Sequence, residues 1–393
     1  MANNIKAKMK GNTMLIALVA VMLIFEVMIR SAGRGSLFAP ANISNLINQN
    51  AYVVILAIGM LLCILTGGNI DLSVGSIVCF VGAVAGTLIV NLKVNIYFAI
   101  VICLIMGIIL GAWQGYWIAY IRIPAFIVTL SGMLMFRGLG NVILDGLTIS
   151  PFPDNYLNIF TSYIPKQNVD SLQVSLTLII GIIGCLIYAL LQFQSRQSKI
   201  KKGYNHETLG AMITKIVFLS VVILLFSSLL GRHKGFPIVL VWLIIIIFIY
   251  GYFTAKTVPG RHFYAMGGNE KAAILSGIDT NKILFGAYTN MGFLSAVAAL
   301  VCVARFNSAT PSAGNMYELD AIGSCFIGGA SAYGGTGTVS GAIIGAILMG
   351  VLNNGMSILG IDANWQKAVK GLVLLAAVVF DVMSKKREAA KDK

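Results

Sequence analysis

The sequence is a succession of apolar blocks, each roughly 16 to 24 residues long and separated from the next by a short polar joint. At 1.5 Å per residue a helix of that length covers the ~30 Å hydrocarbon layer of a bilayer. The blocks lie near 14–29, 51–66, 74–91, 97–120, 123–142, 171–193, 216–231, 236–255, 283–305, 319–332, 338–358 and 366–384. Only 11% of the residues are charged and 58% are hydrophobic, against about 25% charged in soluble domains, so the chain lacks the polar surface that water demands. It reads as all-α, a polytopic membrane protein of about twelve transmembrane helices, some short or broken.

The net charge of +14 is unevenly spread. Lys and Arg gather at Lys6, Lys8 and Lys10, from Arg196 to Lys202, from Lys256 to Lys282, and from Lys385 to Lys393. This is the pattern of cytoplasmic joints in a membrane protein, so the bilayer is the expected acidic partner and no nucleic acid is. With the N-terminus cytoplasmic, six crossings bring Arg196–Lys202 inside and two more bring Lys256–Lys282 inside. An even number must then follow for the basic tail to be cytoplasmic, so the weak Gly-rich block around Ile322 to Ala330 counts as a crossing. Arg30, Arg34, Lys93, Arg232 and Lys234 are exceptions to the bias.

The outer joints then carry Asp145, Asp154, Asp170, Glu318 and Asp320. The stretch from Thr148 to Gln173, with Pro151, Pro153 and Pro165, is expected to be a structured or docking loop. The run from Met14 to Ile29 is long for a signal-peptide core and further spans follow, so it reads as an uncleaved first span. Residues 1–393 form a single transmembrane domain, with a basic cytoplasmic loop near 194–215 and a second near 256–282.

Two places combine glycine with polar residues at membrane depth: Thr66 to Ser76, containing Asn69, Asp71 and Ser73, and Gly328 to Gly337. Irregular backbone inside a bilayer persists only where protein or a water-filled cavity satisfies its N–H and C=O groups, and such breaks commonly line a translocation path. Close helix packing is the competing explanation, and is the preferred one for Gly341 and Gly345. Asp71 suits either contact with a solute or capping of the next helix. The two breaks echo each other weakly, as a divergent internal repeat would.

Other polar residues within spans are few: Glu26, Trp113, Gln114, Tyr116, Asn290, Asn353, Asn354 and Asp381. Buried polar groups cost enough in a membrane to be candidate sites. Amides and an indole can satisfy sugar hydroxyls and stack on a pyranose face, so Asn69, Asp71, Ser73, Trp113, Gln114, Asn290, Asn353 and Asn354 form the candidate path for a neutral polyol. Interhelical hydrogen bonding is the alternative for each amide.

Cys63, Cys79, Cys103, Cys185, Cys302 and Cys325 sit in apolar runs without a C-x-x-C spacing, and His206, His233 and His262 are scattered, so neither a disulfide framework nor a metal site is expected. The phosphate-binding G-x-x-x-x-G-K-[ST] loop, the nucleophile elbow and the dinucleotide fingerprint are all missing from the sequence. A transport subunit with no catalytic residues and no cofactor is the expectation.

The most informative polar joint runs from Gly260 to Ile278. Within it Asn269 is an N-cap candidate, Ala272, Ala273 and Ile274 favour helix, and Gly277 is a stop, which predicts a short amphipathic helix over 269–276. It is either a plain linker or a docking element. Four stretches resemble the permease subunits of bacterial ATP-binding-cassette importers for monosaccharides, a group that includes ribose, xylose and multiple-sugar permeases. They are Gly68–Ser76 (GNIDLSVGS), Ile123–Gly138 (IPAFIVTLSGMLMFRG), Gly260–Ile278 (GRHFYAMGGNEKAAILSGI) and Glu318–Gly345 (ELDAIGSCFIGGASAYGGTGTVSGAIIG).

The resemblance covers nearly the whole chain, and the extra segment from about Arg196 to Val258 is most like the multiple-monosaccharide and xylose permeases. Asn69 departs from the commoner Gly-Gly-Ile-Asp pattern. The resemblance implies a location in the bacterial cytoplasmic membrane, a second permease copy, cytoplasmic ATPase subunits that hydrolyse ATP, and an extracytoplasmic sugar-binding protein. It also implies an ATPase-coupling role for Gly268, Asn269, Glu270, Ala272, Ala273, Ser276 and Gly277. Rival readings are the same architecture importing a nucleoside, signalling sugar or branched-chain amino acid, an ion-coupled secondary transporter, and a membrane-embedded enzyme.

Overall fold

The computed structural model describes residues 13–165, 170–204 and 208–391; Lys6, Lys8, Lys10, His206, Lys393 and the side chains of the basic tail from Lys385 lie outside the described part. The helices are α1 (Thr13–Ser31), α2 (Pro40–Leu65), α3 (Val74–Gly86, continued by a π-turn Thr87–Asn91), α4 (Ile96–Ala119), α5 (Ala125–Leu144), α6 (Asp154–Phe160), α7 (Asp170–Lys201) and α8 (Leu209–Gly231). After these come α9 (Ile238–Lys256), α10 (Val258–Gly268), α11 (Glu270–Leu275), α12 (Thr280–Phe306), α13 (Tyr317–Ile327), α14 (Val339–Ile358) and α15 (Ala363–Lys391).

Among the described residues, 10 helices are long and apolar enough to cross a membrane. The two remaining places in the expected count of twelve fall on α13, which at 11 residues is too short to span alone, and on α15, which carries Lys367, Lys370 and Asp381. The chain is an all-α polytopic membrane protein.

Helices α2 and α12 form the centre, 83% and 78% buried, whereas α7 and α8 are only 11% and 6% buried. Leu186, Leu190, Phe218 and Leu225 on that outer pair are exposed, a face that only lipid can cover without cost. The central packing is tight because glycine lets backbones touch: a Cβ on Gly292 of α12 would lie 2.2 Å from the carbonyl oxygen of Gly107 on α4. The close packing expected at Gly341 and Gly345 is also present, against the carbonyls of Gly328 and Ser324.

The stretch from Thr148 is structured as expected. It contains α6, whose buried Tyr156 donates to the carbonyl of Leu300 at 2.8 Å, and a strand β1 (Tyr163–Ile164) paired antiparallel with β2 (Phe236–Pro237). Residues 166–169 of that stretch lie outside the described residues.

Three differences from the sequence expectation have physical causes. Helix α2 begins at Pro40, not near 51, because Asn42, Asn48 and Asn50 depress the hydropathy yet find partners inside the bundle; Asn50 Nδ2 donates to the Leu46 carbonyl at 2.8 Å. Glu318 and Asp320 belong to α13, Asp320 being fully buried, so they do not sit in an exposed outer joint. Finally, the segment between α12 and α13 is a further break, with Asn307, Gly314 and Met316 all at positive φ.

Candidate functional site

The chain leaves α2 at Leu65 and turns back into the bundle. The backbone N–H of Asp71 meets Met60 Sδ at 3.5 Å, and the carbonyl of Ile70 accepts from Tyr288 Oη at 3.4 Å, eight residues into α12. Asp71 is fully buried, and its Oδ1 accepts from both the backbone N–H (2.8 Å) and the hydroxyl (2.6 Å) of Ser73. That local turn, which the short Asp side chain favours, starts α3 deep in the protein. From α4, Gln114 Nε2 donates to Ser73 Oγ at 2.7 Å. The three candidates Asp71, Ser73 and Gln114 are thus one buried hydrogen-bonded chain; the N-cap of α3 is Ser73 and no side chain caps its first N–H groups, so Asp71 braces the turn before the helix without capping it.

Around this chain Asp71 Oδ2, Gln114 Oε1 and Ser76 Oγ have no partner among the described residues. A carboxylate and an amide oxygen left unpaired in a buried place are acceptors for the hydroxyls of water or a polyol. The start of α3 meets the break before α13 directly: a Cβ on Gly75 would lie 2.0 Å from the Gly314 carbonyl oxygen and 2.7 Å from Glu318 Oε2. The starts of α3 and of the short α13 therefore lie side by side within the bundle, with a polar cluster at the junction. Helix starts within a membrane domain can orient backbone N–H groups toward a solute.

The remaining path candidates are placed elsewhere. Trp113 turns away from the cluster and packs edge-on against Phe136 and Trp117. Asn290 accepts from Tyr250 Oη beside a cavity of about 420 Å³ lined by Leu62, Phe263 and Lys282. Asn353 and Asn354 are buried near the start of α2, where Asn354 Oδ1 accepts from Asn42 Nδ2 at 3.0 Å. Asn69 holds Thr66 through its amide at 3.2–3.3 Å and lines a cleft with Gly268, Asn269 and Glu270. These residues are not brought into one lining.

The second break closes on the first. Gly335 N–H donates to the Leu65 carbonyl at 3.1 Å, Gly334 packs on Gly67, and Gly267 of α10 fits against both Leu65 and Gly335 with no room for a Cβ. Asp381 of α15 accepts from Ala332 N–H at 3.2 Å, and Glu26 pairs with Arg30 and holds Ser36 and Leu37.

The predicted short helix is α11, Glu270–Leu275. Asn269 Oδ1 accepts from Ala272 N–H at 3.0 Å, Ser276 Oγ donates to the Ala272 carbonyl at 2.9 Å, and Gly277 ends the turn at φ +80°. Ala273 packs inward, while Ile274 and Leu275 are exposed, Leu275 at 89%. A cleft of about 430 Å³ lies beside it, lined by Asn69, Arg122, Gly268 and Asn269.

Sequence reading missed three residues here. Lys370 of α15 reaches Asp320 Oδ1 at 2.9 Å, and Tyr52 Oη donates to Asp320 Oδ2 at 2.8 Å. A lysine inside an apolar span is itself a signal. Arg122, at the α4–α5 joint, bonds to Glu270, and only the fold reveals that.

A family model described as branched-chain amino acid transport system / permease component matches residues 42–378. The xylose transport system permease protein XylH of Escherichia coli (strain K12) is 37% identical over 374 residues, 95% of this chain and 92% of that protein. The xylose transport system permease protein XylH of Haemophilus influenzae is also 37% identical, covering 95% of this chain and 96% of its own length. The ribose import permease protein RbsC of Escherichia coli (strain K12) is 34% identical over 88% of this chain and 86% of its own length. No solved structure matches.

Proposed function

Because the chain belongs to the branched-chain amino acid transport system / permease component family, we propose that it is the transmembrane subunit of an ATP-binding-cassette importer for monosaccharides of the xylose type. The observation that carries this reading is 37% identity to xylose permeases over 95% of the chain. The family description alone would equally suit a branched-chain amino acid, but the likeness to sugar permeases runs almost end to end.

In this reading residues 1–393 are one permease domain in the bacterial inner membrane, with both termini cytoplasmic, paired with a second copy. A separate cytoplasmic ATPase seats on α11 and supplies the energy. Sugar delivered by an extracytoplasmic binding protein passes along a polar path to which Asp71, Ser73 and Gln114 contribute, the buried free acceptors at that junction supporting the assignment. A path that releases its cargo needs only weak, multiple hydrogen bonds.

The test is uptake into proteoliposomes holding the chain, its co-encoded ATPase and its co-encoded binding protein. Labelled xylose or another monosaccharide enters only with ATP and only when the ATPase is present. Uptake restricted to leucine, or uptake that continues without the ATPase, overturns the reading.

A further inference from the structure

We propose that α5 is a strut that ties the α11 segment to the break between α12 and α13, with Arg122 just before the helix and Arg137 about two-thirds of the way along it as the positioning residues. Arg122 precedes the helix and adopts φ +62°, a conformation rarely taken by a residue with a side chain. Its guanidinium donates to Glu270 Oε1 at 2.8 Å, to Thr280 Oγ1 at 3.2 Å and to Asn281 Oδ1. One planar fork thus holds the first residue of α11 and the first turn of α12 together, a geometry a lysine cannot reproduce. The ion pair is half exposed, so it adds little to fold stability, and its effect is to set position.

About 20 Å along the helix, Arg137 Nη1 donates to the carbonyls of Pro311 (3.2 Å) and Ala313 in the break. On both sides of Arg137 α5 is seated without slack. Gly132 fits against Gln114 of the buried polar chain, Phe136 stacks on Phe80 of α3, and Gly140 lies against Cys79 and the Phe80 backbone. Cys79 Sγ itself approaches the Pro311 carbonyl at 3.6 Å. A displacement of α11 therefore moves Arg122, α5, Gln114 and the 307–316 segment as one connected body. What displaces α11 rests on the importer reading; the mechanical link itself does not.

The link is read by hydrogen exchange on the purified chain in nanodiscs, with no ATPase added. In Arg122→Ala the amides of 270–276 exchange about tenfold faster and those of 307–316 several-fold faster, while α14 keeps its parental rate. Parental exchange at 307–316 overturns the strut, whatever happens at α11. Should Arg122→Ala fail to fold, Arg122→Lys, which keeps the charge and loses the fork, is judged by the same result. In the reconstituted importer, Arg122→Ala and Arg137→Ala each lower sugar uptake per ATP hydrolysed about tenfold, and the double variant is no lower than the worse single one. Losses that multiply overturn the proposal. A parental chain without ATP-driven uptake counts against the importer reading, and the exchange result still decides the strut.

Discussion

Lys370 on α15 and Asp320 on α13 form an ion pair inside the bundle, 2.9 Å from Nζ to Oδ1, with both side chains largely buried. Tyr52 completes it, donating to Oδ2 at 2.8 Å and stacking on Tyr317 with ring centroids 3.8 Å apart. Removing one partner leaves the other charge buried and uncompensated. Lys370→Met is expected to destabilise the chain by about 3–5 kcal/mol, seen as a lower melting temperature in detergent. Asp320→Leu combined with Lys370→Met recovers most of that loss; a double variant as unstable as the single would show that the pair is not what holds α15 to α13.

The contact between Gly75 and Gly314 has no room for a side chain, since a Cβ on Gly314 would lie 1.9 Å from the Gly75 carbonyl oxygen. Gly314 also sits at φ +71°. Gly314→Val is expected to force the starts of α3 and α13 apart at a cost of about 1–3 kcal/mol or more. Uptake falls by at least tenfold while membrane insertion, assayed by fractionation, persists. Parental uptake would mean that this junction is not part of the path.

Gln114 supplies the only observed donor from another helix to Ser73 Oγ among the described residues. Gln114→Leu removes that bond and the free Oε1 together, so it costs about 1–3 kcal/mol of stability. Its distinguishing effect is on transport: the sugar concentration for half-maximal uptake rises or the maximal rate falls while ATP hydrolysis continues.

The start of α12 offers a pH test. Asp279 Oδ1 accepts from Lys282 N–H at 3.1 Å, and that bond, together with the bond from the Lys282 side chain, holds the Asp279 carboxyl below its ordinary 3.8. A depressed folded value means the cap is fully formed above 3.8 and is lost as pH falls through the lowered value. Exchange-corrected protection of the Lys282 amide is therefore flat across neutral pH and drops only in strong acid. Asp279→Asn removes the acid-induced drop, and a drop near pH 6 would contradict the assignment. The companion cap at Asn269 is worth about 1 kcal/mol to α11, so Asn269→Ala speeds exchange at Ala272 about fivefold.

The apolar blocks were legible because a bilayer imposes length and composition on every span, and the cap of α11 because Asn269 and Gly277 act within a few residues of one another. The clustering of Asp71, Ser73 and Gln114 was legible only as a set of costly polar residues. What joins them is the return of the chain toward Met60, which no local pattern encodes. The break at Asn307–Met316 escaped notice because it looks like an ordinary outer loop; it is held in place by Arg137 from far back in the sequence. Trp113 and Gln114 are neighbours in sequence, yet the helix turn sends one to the polar junction and the other to an aromatic cluster.

Among the described residues, the α7–α8 hairpin shares a small apolar patch with the rest of the protein at Ile43, Leu230 and Phe236, beside the β1–β2 pair. Its outward face, with Leu186, Leu190, Phe218 and Leu225, is left to lipid. Exchange of one apolar residue for another on that face is therefore tolerated, whereas a single added methyl in the glycine seams at the centre is not.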